Sequence, residues 1–224
     1  MTVALGLLIE RAAYKPLRSA PRMSVMISAI GVSYLLQNLA TYITGGLARP
    51  YPEIPFLKGT FMLGALKIKI ITVVPPLLTI LLVIALVLFI NHTKTGMAMR
   101  AVSRDFDTAR LMGIKVNNII SVTFIIGSFL AGVGSILYFS NYGQVSPTIG
   151  AMPGLKAFVA AVFGGIGSIP GAVLGAYIIG ICESLIKAND AIAIFSNAFT
   201  FALLILVLLF KPNGMFGEKL AEKV

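Results

Sequence analysis

Few side chains in this chain could do chemistry, and none stand at the spacings that chemistry needs. His92 is the only histidine and Cys182 the only cysteine, so an intrachain disulfide and a cysteine-based metal site are both excluded. His92 closes an apolar run, the usual place of an interfacial residue, and is assigned no chemistry. A nucleotide-phosphate cradle needs the pattern GxxxxGK[ST]; the nearest run, Gly59 to Leu66, has Ala65 where the lysine should stand. No HExxH occurs, and no paired acids of a lipid-phosphate enzyme. The long apolar runs are almost free of ionisable groups, and Lys156, Glu183 and Lys187 fall near their ends. A proton-coupled transporter places acids or histidines in its core, so self-powered pumping is not expected. No catalytic residue, metal site or cofactor is expected.

What remains is polar and glycine chemistry inside the oily segments. Gln37, Asn38 and Thr41, with Ser33 before them, sit in a charge-free run from Met23 to Gly46. Amide side chains in lipid are expensive, so they face other helices as hydrogen-bonding glue or line a watery path. A second feature is the run Gly164-Gly165-Ile166-Gly167-Ser168-Ile169-Pro170-Gly171, which interrupts an apolar stretch after about ten residues. Ten residues are too few to cross about 30 Å of hydrocarbon. Either this is a half-helix whose broken backbone lines a cavity, with Gly164, Gly165, Gly167 and Ser168 on the path, or it is a tight turn in a short helical hairpin. Gly167, Gly171 and Gly175 continue at four-residue spacing, a ridge suited to close helix packing.

The third feature is the only long, mixed-charge stretch, Thr93 to Lys115, reading TKTGMAMRAVSRDFDTARLMGIK. It lies between a charge-free run from Ile70 to Asn91 and another from Val116 to Leu155. Ser103 as N-cap, Asp105 in the first turn and Gly113 at C′ bracket a helix of roughly two to three turns. Met99, Val102, Phe106, Ala109 and Gly113 form a helical stripe, while Arg100, Arg104, Asp107 and Arg110 occupy the rest of the surface. The segment is either a solvated basic loop against lipid headgroups or a helix presented to a partner protein, with Phe106 as anchor and the arginines at the rim.

The elements that must position these groups follow from composition. The chain is 58% hydrophobic and 12% charged, which places it in the membrane class. Its net charge of +10 is gathered in the gaps between apolar runs, where the positive-inside rule accounts for it, so nucleic-acid binding is not expected. Spans are expected at about 23–46, 72–91, 118–140, 170–187 and 193–210, with a short or half span at 154–164. Pro75 and Pro76 fall in the first turn or so of the second span, where missing donors cost least. Glu10 to Arg22, with Pro16 and Pro21 as breakers, and the loop 92–117 read as cytoplasmic. Residues 47–69 and 141–153 read as outer loops, the first with room for a short hairpin around Leu66 to Lys69. In the span 118–140, Gly127, Ser128, Gly132, Gly134 and Ser135 would admit a close neighbour. Pro212 and Gly214 read as stop signals after the last span, followed by a short tail with Lys219 and Lys223. Met1 to Ile9 is too short to span and lacks a basic region or cleavage site, so it reads as the last two turns of a spanning helix.

Four blocks in order, ERAAYKPLR, TKTGMAMRAVSRDFDTARLMGIKV, VSPTIGAMPGLKAFVAAVFGGIGSIPGAVLG and FALLILVLLFKPNGMFG, closely resemble the permease subunit of branched-chain amino acid ABC transporters, of the LivH type. The resemblance covers essentially the whole chain. It implies an all-α, polytopic helical bundle with a re-entrant or broken helix and a cytoplasmic coupling helix, forming one transmembrane permease domain over 1–224. It further implies a prokaryotic plasma (inner) membrane location, contact with membrane lipid, and a complex with two ABC ATPase subunits, a second permease of LivM type and an extracellular or periplasmic substrate-binding protein. Arg104 to Gly113 is similar to the coupling helix of such importers, with Ala109 and Gly113 where the family's Ala and Gly fall. The glutamate of the general importer loop motif is not matched in place, and Asp107 is the nearest acid. Family members carry further N-terminal spans, and this copy resembles one that starts inside an early helix.

The resulting expectation is a path worked by an external motor: closure of the ATPases pushes the coupling helix, and the spans rock between outward and inward access. Two rivals stand beside it. A stand-alone secondary transporter or channel would move solute without any ATPase, and a structural membrane subunit would carry no path and would be favoured if the glycine-rich break were packed solid.

Overall fold

A computed structural model describes residues 1–18, 20–52, 59–63, 66–165, 167–190, 192–211 and 214–215. The chain forms two compact units, Met1–Thr148 and a second that begins at Ile149.

In the first unit, α1 (Thr2–Ile9) runs on into a π turn, Glu10–Tyr14, closed by the Lys15 amide donating to the Glu10 carbonyl at 2.8 Å. Helicity thus continues past the apolar run into the charged segment. Pro21 then stands as N-cap of α2 (Arg22–Thr44), and Gly45 in the left-handed region ends it. Strand β1 (Arg49–Pro50) pairs antiparallel with β4 (Gln144–Val145), tying the exit of α2 to the end of α6. Strands β2 (Thr60–Leu63) and β3 (Leu66–Lys69) form the short hairpin, in the register Thr60↔Lys69. Pro55 of this loop lies outside the described residues. β3 leads directly into α3 (Ile70–His92). That start is earlier than the sequence suggests, so Pro75 and Pro76 fall in the second turn and each removes a ladder donor. Helices α4 (Lys94–Arg104) and α5 (Phe106–Leu111) make an arm between α3 and α6 (Val116–Tyr142).

The core of this unit depends on small residues. α1 packs antiparallel on α6, with Gly6 against Ser128 and Gly132 against Thr2. A Cβ at Gly132 would come within 2.5 Å of the Thr2 hydroxyl, so a larger residue there would make the Thr2 side chain turn aside. Gly127 and Gly134 have open space beside them, so the close-approach face expected of this helix is the one through Ser128 and Gly132.

The second unit is a three-helix pack of α7 (Ala151–Gly164), α8 (Ile169–Lys187) and α9 (Ser196–Phe210), the last entered through a 3-10 turn, Ala193–Phe195. Val159, Ala160, Phe163 and Ile179 are buried at its centre, against Phe201, Leu203, Leu204 and Val207 of α9. α7 and α8 are an antiparallel pair whose backbones touch, Gly164 on Gly171 and Gly175 on the Ala160 carbonyl at 2.6 Å from the position of a Cβ. At 14 residues α7 is roughly 21 Å long, short of the hydrocarbon thickness. Among the described residues, five helices are long and apolar enough to cross a membrane: Met23–Thr44, Ile70–His92, Val116–Tyr142, Ile169–Lys187 and Ala193–Phe210. The Pro212 stop signal and the tail with Lys219 and Lys223 lie outside the described residues.

Candidate functional site

The arm begins at a sharp corner. Thr93 leaves α3 in an extended conformation, and its hydroxyl accepts from the Gly96 amide at 3.0 Å, an N-cap for α4. Gly96 is buried against the backbone of Ile90, where no side chain fits. The direction in which α4 leaves α3 is therefore set by a cap and a glycine.

The arm then breaks where the sequence suggested continuity. The expected single helix from Ser103 to Gly113 is two helices, because Asp105 is the N-cap of α5 rather than a first-turn residue. Asp105 is extended (φ −155°, ψ 116°), and its carboxylate accepts from the amides of Asp107 at 3.0 Å and Thr108 at 3.2 Å. Ser103, expected as the cap, lies in the last turn of α4 and donates back to the Arg100 carbonyl at 2.9 Å. An aspartate with two amides within reach caps better than a serine whose hydroxyl already has a partner behind it. Gly113 stands at C′ (φ +79°); its amide donates to Arg110 and that of Ile114 to Ala109, a Schellman closure.

The break divides the expected stripe. Val102 and Ala109 turn inward and, with Val116 at the start of α6, make a buried cluster covered by Ile114, Ile119 and Ile120. Met99 is half-buried. Phe106 is 52% exposed, and on the turn that closes α5 Leu111 is 89% and Met112 79% exposed. Around them Arg100, Arg104 and Arg110 are exposed; Arg100 reaches Asn91 at 3.4 Å and Arg110 sits 3.9 Å from Asp107. An ion pair so open to water holds the arm weakly.

The profile of one family, described as "Branched-chain amino acid transport system / permease component", matches residues 1–208. The chain is similar to the high-affinity branched-chain amino acid transport system permease protein BraD of Pseudomonas aeruginosa, 41% identical over all of this chain and 74% of the relative. It is 41% identical to the LivH permease protein of the corresponding system of Escherichia coli, over 99% of this chain and 72% of the relative. A probable LivH permease of Methanocaldococcus jannaschii is 30% identical, over 96% and 68%. The chain belongs to this permease family. No solved structure matches it. With its apolar helices, membership makes it a multi-pass protein of the inner membrane.

Within the permease, each of these polar side chains of α2 donates one hydrogen bond inside the helix. Gln37 donates to the Ser33 hydroxyl at 3.1 Å, Asn38 to the Tyr34 carbonyl and Thr41 to the Gln37 carbonyl, both at 2.8 Å. Gln37 is half-buried and Asn38 exposed, and none of Met23–Thr44 is buried. The glycine break is a helix–helix turn. Gly164 and Gly165 are buried, one under the backbone of Gly171 and the other under Gly214, and the Met215 amide donates to the Phe163 carbonyl at 2.9 Å. Gly167 (φ +100°) is exposed with open space beside it, and Ser168 caps α8 by accepting from the Gly171 amide at 3.2 Å. Ile166 lies outside the described residues. The hairpin is tied near the other end of α8, where Glu183 accepts from Lys156 and Lys187, each at 2.6 Å.

Several residues of the permease carry more than their sequence context signals. Gly96, read as part of a polar loop, sets the corner of the arm. Leu111 and Met112 look like an ordinary helix end, yet they are the most exposed apolar groups on it. Glu10, in a segment read as a charged cytoplasmic loop, is 1% exposed.

Proposed function

We propose that this permease is the membrane-spanning subunit of an ATP-driven importer for branched-chain amino acids, the substrate class in the names of its relatives. It provides the path and hydrolyses no ATP itself. Two ATPase subunits drive it, a second permease of LivM type completes the pore, and an extracellular binding protein delivers the solute. The observation that carries this reading is the arm: two short capped helices, anchored inward by Val102 and Ala109, that offer Phe106, Leu111 and Met112 to water. Exposed apolar groups rimmed by arginine are the composition of a docking site.

The docking set is Arg100, Arg104, Phe106, Asp107, Ala109, Arg110 and Gly113, with Ala109 and Gly113 acting inward as packing and closure, and with Leu111 and Met112 added. The arm faces the cytoplasm. Arg11, Lys15, Arg18 and Arg22 lie before or at the start of α2 and five further Lys and Arg fill the arm, from Lys94 to Lys115; the longer connection between α2 and α3 has four, Arg49, Lys58, Lys67 and Lys69. For the path, Gln37 and Asn38 on α2 are the polar groups able to meet a solute. On the hairpin the assignment narrows to Gly167 and Ser168, since Gly164 and Gly165 are covered. That covering is what a purely structural subunit would rest on, and uptake separates the two. Proteoliposomes holding the permease with its ATPases, partner permease and binding protein should import leucine only with ATP inside. Import by the permease alone would overturn the motor-driven reading. Normal import by a Gln37→Leu, Asn38→Leu variant would remove α2 from the path.

A further inference from the structure

Resting on the reading of α4–α5 as the docking arm, we propose that Glu10 and Arg18 form a buried joint that carries displacement of the arm to the span α2. They are positioning residues for transport. Glu10 is a carboxylate at the first residue of the π turn, shut away from water, with both oxygens engaged. Oε1 accepts from an Arg18 guanidinium nitrogen and Oε2 from the Ser121 hydroxyl at 3.1 Å. The other terminal nitrogen of Arg18 donates to Asn117, while its Nε is buried without a partner.

Asn117 and Ser121 lie on the first two turns of α6, directly after the arm. Val116, their neighbour, belongs to the cluster that anchors Val102 and Ala109. The first two turns of α6 therefore hold the arm by their apolar side and the joint by their polar side. From the joint, a linker of a few residues leads through Pro21 into α2, whose principal contact within the unit is with the same π turn. A docked ATPase pushing on α5 moves the start of α6, and among the described residues the joint is a buried polar link between that start and the foot of α2.

The chemistry suits a joint better than a weld. A buried ion pair is a poor source of stability compared with apolar packing of the same volume, so its presence calls for another reason. Here the arginine keeps one donor, Nε, unpartnered within a pair already bonded to Asn117 and Ser121 of α6, so its contacts can be exchanged without opening the site to water. The π turn supplies backbone slack at the same residue, a feature frequent at functional sites.

The test uses the full importer in proteoliposomes, with radiolabelled leucine and ATP hydrolysis followed together. The variants are Glu10→Gln, Arg18→Gln and the apolar double Glu10→Leu, Arg18→Met. Leucine imported per ATP hydrolysed is the readout, because a smaller amount of folded protein does not change it. The expected result is a fall of about tenfold, the order of a typical coupling between sites, in all three, with the ATPases still bound. If either single variant fails to assemble, the double variant decides. Wild-type import per ATP in the double variant would show a packing role only and overturn the joint. Loss of ATPase binding in these variants would also overturn it, since the pair would then serve docking. Failure of the arm reading is separate: it would appear as normal ATPase binding in Leu111→Ser with the joint residues untouched.

Discussion

Leu111→Ser is the substitution whose effect can be worked most directly from the arm. Leu111 is 89% exposed, so removing its side chain takes almost nothing out of the free permease. The change in fold stability should stay within about 0.5 kcal/mol, as for other surface positions. In the docked complex the same side chain would be buried nearly whole, and full burial of a leucine is worth about 1.5–3 kcal/mol. Taking about 2 kcal/mol gives a loss of ATPase affinity of roughly thirtyfold, at tenfold for each 1.4 kcal/mol. Phe106, the anchor expected from the helical stripe, is 52% exposed. The covered half of its ring is buried with or without the ATPase and cancels, leaving about 1 kcal/mol, or roughly fivefold, for docking. Phe106→Ser should also lower the thermal stability of the permease, which Leu111→Ser should not. Titration of labelled ATPase onto nanodisc-held permease measures the first effect, and thermal unfolding of the permease alone measures the second. Equal affinities for the wild type and Leu111→Ser would refute the docking argument, and a larger docking loss at Phe106 than at Leu111 would refute the use of exposure to rank them.

Four further substitutions probe the geometry. Gly96→Ala sets a Cβ against the Ile90 backbone, so α4 must leave α3 at a different angle; uptake should fall while the spans stay inserted, and wild-type uptake would show that the corner tolerates the change. Asp105→Ala should loosen α5 by about 1 kcal/mol, seen as faster hydrogen exchange at the Thr108 amide, whereas Ser103→Ala should leave that exchange unchanged. Gly164→Ala drives a methyl into the Gly171 backbone and should destabilise the second unit by about 1–3 kcal/mol, measured as a lower unfolding temperature. An unchanged unfolding temperature would mean that α7 and α8 do not rely on that contact.

The long apolar helices were legible because lipid imposes a coarse rule on a spanning segment: about twenty apolar residues bounded by charge or turn residues. The span expected at 118–140 falls within Val116–Tyr142, and that at 170–187 within Ile169–Lys187. The arm was readable as a feature and less so in its parts. Its stripe assumed one helix, and a single aspartate with two amides in reach broke it, turning Phe106 away from Val102 and Ala109. Choosing between Ser103 and Asp105 as cap depends on where each side chain finds a second partner, which spacing does not encode. Glu10 shows the limit most clearly. An acid in a short basic segment bounded by prolines reads as solvated, and only the packing of α1 on α6 puts its carboxylate beside Ser121 and out of water. Glycines divided in the same way: Gly113 announced its turn, while Gly96 gave no local sign of the backbone it would meet.

The state of α2 bears on how such a subunit could move. Its polar groups are already bonded inside the helix, Gln37 to Ser33, Asn38 to Tyr34 and Thr41 to Gln37. A spanning helix whose amides depended on a neighbour would leave them orphaned in lipid each time the neighbour shifted, at a cost of several kcal/mol per group. Because each of these side chains already spends one donor inside α2, less of the helix's polarity depends on a neighbour. Its tie to the π turn then matters more than its flanks, since the direction in which it leans is decided at the foot. A helix that is indifferent along its length and held at one end responds to a push at that end, which is the mechanical requirement for turning hydrolysis outside the membrane into access on one side or the other.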